Sequence, residues 1–247
     1  MQNQFRSTKL TFSWPLGLLL ILMFGVPRFF LVLDANQSGS YSLTSVIFVI
    51  MILTPFLLLT RNGRQRIGIT FPKNILWLTG SFLLGALLCA FIFWIGNTLY
   101  QDTLSNWFVY ISESYSSVPH DQLTGSNQWT YFLTFALIGM TFSPIGEEFL
   151  YRGLIHECFA GRFGDNRASM IDSAAFAIVH LAHFGIVFSA GEWTFLAVPA
   201  LLWMALMYVA GRIFYVCRQK TGSIFGAVIS HAGFNLAMTW FIFFYIF

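Results

Sequence analysis

Seven apolar stretches, each near the length of a bilayer crossing, leave this chain few ways to fold. A helix needs about 20 apolar residues to span the hydrocarbon core. Stretches at 12–33, 43–60, 74–100, 129–160, 169–188, 194–217 and 222–247 meet or approach that length. In lipid every backbone polar group must be bonded inside the protein, and uninterrupted runs of this kind achieve that as helices. The expected fold is all-α: a polytopic membrane helix bundle of about seven to eight transmembrane helices. With no linker long enough to divide it, residues 1–247 form a single integral membrane domain. The third and fourth stretches exceed a straight crossing, so they tilt, protrude or bend. Ser143-Pro144 gives the fourth a cause, because proline removes a backbone donor and kinks a helix.

The connections sort by charge. Arg6 and Lys9 precede the first stretch; Arg61, Arg64, Arg66 and Lys73 follow the second. Arg162 and Arg167 follow the fourth, and Arg218 and Lys220 the sixth. The other connections, 34–42, 101–128 and 189–193, carry Asp34, Asp102, Glu113, Asp121 and Glu192 and no Lys or Arg. The positive-inside rule then places a multi-pass protein in the cell membrane with its N-terminus cytoplasmic and its C-terminus external. The first stretch resembles a signal peptide, but it runs to Leu33 with no small-x-small site, so it is expected to be a retained span. Arg28 breaks the charge pattern; it either snorkels to the outer interface or pairs inside the bundle. The Ser-rich connection 101–128 is expected to be a solvated loop, with a lid as the alternative. A net charge of +3, dispersed along the chain, excludes nucleic acid as a partner class. Cys89, Cys158 and Cys217 lie in separate apolar stretches without C-x-x-C spacing, and read as reduced structural residues.

Against that background the sequence Glu147-Glu148-Phe149-Leu150-Tyr151-Arg152 stands out. Ionisable groups at membrane depth are costly and persist mainly where they do something. On a helix Glu148 and Arg152 share a face, acid before base. Glu147 points roughly 100° away from Glu148, which leaves it available for another role. A purely structural ion pair would account for Glu148 and Arg152 but not for Glu147.

Two further polar groups lie at depth. Phe176 and His180 belong to the fifth stretch, and His231 and Asn235, four apart, to the seventh. Counted at about 1.5 Å per residue from the inner ends, Glu147, His180 and His231 fall about 20, 16 and 14 Å into a core about 30 Å thick. One slab therefore holds polar groups from three helices. His183, a turn beyond His180, is expected at the interface. Gly233 and Ala232 beside His231 allow close helix approach. His156-Glu157 begins an H-E pair, but Ala160 stands where a zinc site needs its second histidine.

Glu, His and Asn converging in a low-dielectric site suit water activation and oxyanion stabilisation. A carboxylate beside another carboxylate becomes more basic. It could take a proton from water that His180 orients, with His231 and Asn235 as donors to a developing oxyanion. No G-x-S-x-G occurs, and Cys158 has no base at a recognisable spacing, so a covalent nucleophile is unsupported.

The three motifs, E-E-x-x-x-R at Glu147 to Arg152, F-x-x-x-H at Phe176 to His180 and H-x-x-x-N at His231 to Asn235, resemble those of the CAAX-protease and bacteriocin-processing membrane proteins, also called the Abi family. The resemblance covers roughly 130–240, a family-like catalytic core. It implies a glutamate-dependent intramembrane endopeptidase that needs neither metal nor other cofactor. It also implies that Glu147 and His180 activate water, that His231 and Asn235 support the oxyanion, and that Glu148 and Arg152 shape the site. Family members look like eight-helix bundles. Some cleave prenylated C-terminal tails; many bacterial ones are tied to bacteriocin production, self-immunity or pheromone maturation, the kind a short chain resembles. The expected partner is a peptide or protein substrate that enters from the membrane or the cytoplasmic side. The competing readings are a non-catalytic membrane immunity or binding protein, a metal-dependent hydrolase with Glu147, His180 and His231 as ligands, and a transporter.

Overall fold

The structure, a computed structural model, describes residues 3–115, 118–119 and 123–247; Asp121 of the long connection lies outside them. In chain order the helices are α1 (Trp14–Ser38), α2 (Ser42–Leu58), α3 (Arg61–Arg66), α4 (Leu76–Tyr100), α5 (Trp107–Ser112) and α6 (Gly125–Glu148). A π-helical turn (Phe149–Ile155) joins α6 to α7 (His156–Phe163), and α8 (Asp165–Val179) follows. Strands β1 (Ile186–Ser189) and β2 (Glu192–Phe195) precede α9 (Ala197–Thr221) and α10 (Ile224–Phe241), whose end is π-helical over Ile242–Ile246. The fold is a helical membrane bundle. Among the described residues α1, α4, α9 and α10 with its extension are long and apolar enough to cross a membrane. Their outward faces are apolar: Leu22 and Phe30 on α1, Leu87 and Trp94 on α4, and Val198 and Leu201 on α9 are all exposed. Such a surface suits lipid and would be a liability in water.

Small residues set the helix contacts, as lipid-embedded packing requires. A Cβ on Gly85 of α4 would strike the Ser230 carbonyl of α10, and one on Gly233 of α10 would strike that of Phe82. The expected close approach at Gly233 is thus met, by α4. Gly146 of α6 does the same for α2, where an added Cβ would lie 2.8 Å from the Phe48 carbonyl oxygen.

The fifth stretch is shorter than its apolar run. Its helix α8 is 15 residues long and ends at Val179, not at 188. At about 1.5 Å per residue that is roughly 22 Å, short of the hydrocarbon thickness. A 3₁₀ turn (His180–Ala182) follows, and Gly185, at φ +117°, turns the chain into β1. The hairpin β1–β2 closes through Ala190 (φ 51°) and Gly191 (φ 82°). Positive φ at both central residues is the two-residue turn that matches strand twist. The apolar run Ile186-Val-Phe188 misled because a short buried strand and a buried helix segment look alike in sequence.

The two ends of the bundle differ. At one, Arg66 and Arg218 both reach Glu157, at 3.0 and 3.2 Å. Phe5 bridges Leu59 there, and Ile224 donates its backbone N–H to the Gly68 carbonyl. This end gathers the segments that carry most of the Lys and Arg. At the other, Gln128 donates to the Phe243 carbonyl and Tyr115 packs on Phe243.

Candidate active site

The two adjacent acids are held by different arginines on opposite sides. Glu148 Oε1 accepts from Arg152 Nη1 at 3.1 Å, the i,i+4 pair expected, and both residues are fully buried. Glu147 is not left without a partner: its Oε1 accepts from Arg28 Nη2 of α1 at 2.9 Å. Both members of that pair are 1% exposed. Arg28 therefore pairs inside the bundle, and its guanidinium also lies 5.3 Å from the centre of the Phe48 ring. One helix residue turns the side chain by roughly 100°, which is how neighbouring carboxylates serve two separate pairs.

Phe176 joins the halves. Its carbonyl accepts from His180 Nδ1 at 2.7 Å. Its ring lies 4.1 Å from that of His180 and 4.3 Å from the Arg152 guanidinium carbon. A carbonyl can only accept, so His180 Nδ1 carries the hydrogen and, in the neutral ring, Nε2 presents a lone pair. Nε2 lies 3.8 Å from Glu147 Oε2, and that oxygen has no hydrogen-bond partner among the described residues. Two acceptors thus face each other. The turn carrying His180 is fixed from both sides, by Trp203 Nε1 on the His180 carbonyl at 3.0 Å and by Asn36 Nδ2 on the Ala182 carbonyl at 2.9 Å.

His231 joins Glu148 rather than Glu147. Its Nδ1 lies 2.8 Å from Glu148 Oε1, and its ring stacks on Phe214. Asn235 Nδ2 donates to the Gly139 carbonyl at 2.8 Å, with Ser143 Oγ farther off at 3.5 Å. Glu147, His180, His231 and Asn235 all line one cavity of about 720 Å³. Glu148 and Arg152 lie behind its wall. Among the described residues no three His, Cys, Asp or Glu side chains are grouped as metal ligands.

Three participants were not foreseen in these roles. His183, expected at the interface, lines the cavity and accepts from Arg28 Nη2 at 3.3 Å; α8 stops early, so it curls back over the site. Asp172 is fully buried between His156 Nδ1, 2.9 Å from its Oδ2, and Arg152 Nε, 3.6 Å from its Oδ1. An acid inside an apolar stretch was the signal for it. Arg28 announced itself only as an exception to the charge pattern. Gly211 of α9 makes room behind Arg152, since a Cβ there would strike Arg152 Nη2. The π-helical turn that holds Arg152 is of a kind that recurs at functional sites.

Comparison with known proteins agrees with the motifs. Residues 128–237, somewhat under half of the chain, match the family described as type II CAAX prenyl endopeptidase Rce1-like. Searches of curated proteins and of solved structures gave no match. The segment that carries all three motifs is therefore similar to the Rce1-like endopeptidase family, and the chain around it is a helical membrane bundle.

Proposed function

We propose that the protein is a glutamate-dependent intramembrane endopeptidase of the cell membrane that hydrolyses a peptide bond in a peptide or protein precursor. The observation that carries this reading is the pair of opposed acceptors, Glu147 Oε2 and His180 Nε2, 3.8 Å apart at a buried cavity wall. A water between them donates one hydrogen to each, which orients its lone pair toward the cavity. Glu147 takes the proton as the water oxygen attacks the peptide carbonyl, and returns it to the departing amine. Arg28, on the other carboxylate oxygen, holds Glu147 in place before the reaction.

The oxyanion faces α10. With one amide hydrogen of Asn235 on the Gly139 carbonyl, the other faces the distant Ser143 hydroxyl at 3.5 Å. His231 has its Nδ1 hydrogen committed to Glu148, so it donates from Nε2 only when the ring carries both hydrogens. Fixed donors in a water-poor site act strongly on a developing oxyanion. Arg152, Asp172 and His156 hold Glu148, and through it His231, in register.

The test is Glu147→Gln, which keeps shape and removes the base. The variant should remain folded and inserted while peptide cleavage falls by about 10²–10⁴-fold; the parent should be unaffected by chelator. Cleavage near the parental rate in the variant would refute the assignment. Death of the parent in chelator would favour the metal-dependent reading.

A further inference from the structure

The same cavity has a mouth, and its position bears on the substrate. The lining runs from Glu147, His180 and His231 to exposed residues of three segments: Gln37 to Gly39 at the end of α1, Glu113 after α5, and Ser189 and Ala190 at the hairpin tip. All lie at the end opposite the arginine-rich one. That other end is closed beneath the site. Leu150, Tyr151, Leu154 and Ile155 are fully buried there, and Arg218 reaches across to the Arg152 carbonyl. Sideways, α2 seals against α6 at Gly146 and Phe48, beside Glu147.

The mouth also has a sign. Of the 13 Lys and Arg in the chain, Arg28 alone lines the cavity, and Glu147 neutralises it. Glu113 lines the mouth, and Asp34, Asp102 and Glu192 belong to the same segments. Clefts of one charge sign select the opposite sign in what approaches. A volume of about 720 Å³ lies in the range of small-ligand sites. It admits a short extended stretch of chain and excludes a folded domain.

Resting on the protease reading, we infer that the substrate is an extended segment, neutral or basic in charge, of a protein presented at the external face of the membrane. The arginine-rich end faces the cytoplasm by the positive-inside rule, and the cavity opens away from it. This route differs from the approach from the membrane or cytoplasmic side expected from sequence, and the two are separated by the measurements below. Cleavage at this site acts on chains already translocated, so the reaction that supplies the substrate is export.

Two measurements test this separately. Cys89, Cys158 and Cys217 are buried, so a new surface cysteine reports alone. In intact cells a membrane-impermeant thiol reagent should label Gln37→Cys and leave Gln65→Cys unlabelled until the cells are opened. The reverse pattern overturns the external mouth, whatever the protein's activity. Purified protein is then given internally quenched soluble peptides, flanked by Lys or by Asp, in detergent and in vesicles sorted by Gln37→Cys accessibility. Mouth-out vesicles should cleave the Lys-flanked set as well as detergent samples do, and Glu113→Lys should shift the preference by about two- to fivefold toward the Asp-flanked set, the range of an exposed charge pair. Cleavage confined to mouth-in vesicles, or to peptides embedded in lipid, overturns the route. Cleavage in detergent that survives Glu147→Gln, or none at all, sinks the protease reading instead and leaves the labelling result standing.

Discussion

Replacing Arg28 by methionine tests the structure where it departs most from what the chain alone shows. Arg28 Nη2 lies 2.9 Å from Glu147 Oε1, and each residue is 1% exposed. Methionine roughly fills the arginine's space but leaves a buried carboxylate without its cation. Breaking a buried pair from one side costs about 3–5 kcal/mol. Both residues line the cavity, where water can soften the loss, so the low end, about 3 kcal/mol, is the expected value. For a chain of this size each kcal/mol moves the unfolding midpoint by about 2–4 °C, giving a fall of roughly 6–12 °C. The double variant Arg28→Met with Glu147→Leu removes both charges. Exchanging a whole buried pair for apolar groups is often neutral or stabilising, so the double variant should recover most of that loss. Thermal unfolding of the four proteins in one detergent gives the cycle directly. An Arg28→Met variant as stable as the parent, or a double variant whose loss is the sum of the singles, would refute the buried pair.

Arg152→Ala should likewise lower thermal stability by an amount of order 3–5 kcal/mol and abolish cleavage; parental stability would mean the pair is solvated. Asp172→Ala should weaken the same network, since it leaves Arg152 with Glu148 as its acid and His156 with the exposed Asp165, 3.5 Å from its Nε2, and the check is loss of both stability and kcat. Gly211→Ala should mimic Arg152→Ala in part, because its methyl group displaces the guanidinium, while Gly161→Ala, with open space around it, should leave stability and cleavage unchanged. A reporter fused after residue 65 should read cytoplasmic and one after residue 115 external; the opposite pair would invert the orientation.

Much of the site was legible because lipid makes polar residues conspicuous. Against apolar stretches, Glu147, Glu148, Arg152, His180, His231 and Asn235 mark themselves by the cost of burying them, and helical spacing was enough to pair Glu148 with Arg152. Periodicity also foresaw that Glu147 would face elsewhere. What it faced was not legible, since Arg28 is 119 residues away and spacing along one helix carries no information about another.

The sequence by itself determined a helical membrane bundle and a polar layer within it. Long apolar runs admit little else, and charge in a bilayer has to be answered by partners. Tertiary structure alone decided which partners answered. It gave Glu147 to Arg28, turned His231 onto Glu148, ended α8 at Val179 so that His183 curls over the cavity, and opened that cavity at the end away from the arginines. Each of these depends on how separate helices are placed against one another. That placement is set by small residues such as Gly85, Gly146, Gly211 and Gly233, whose neighbours come from distant parts of the chain.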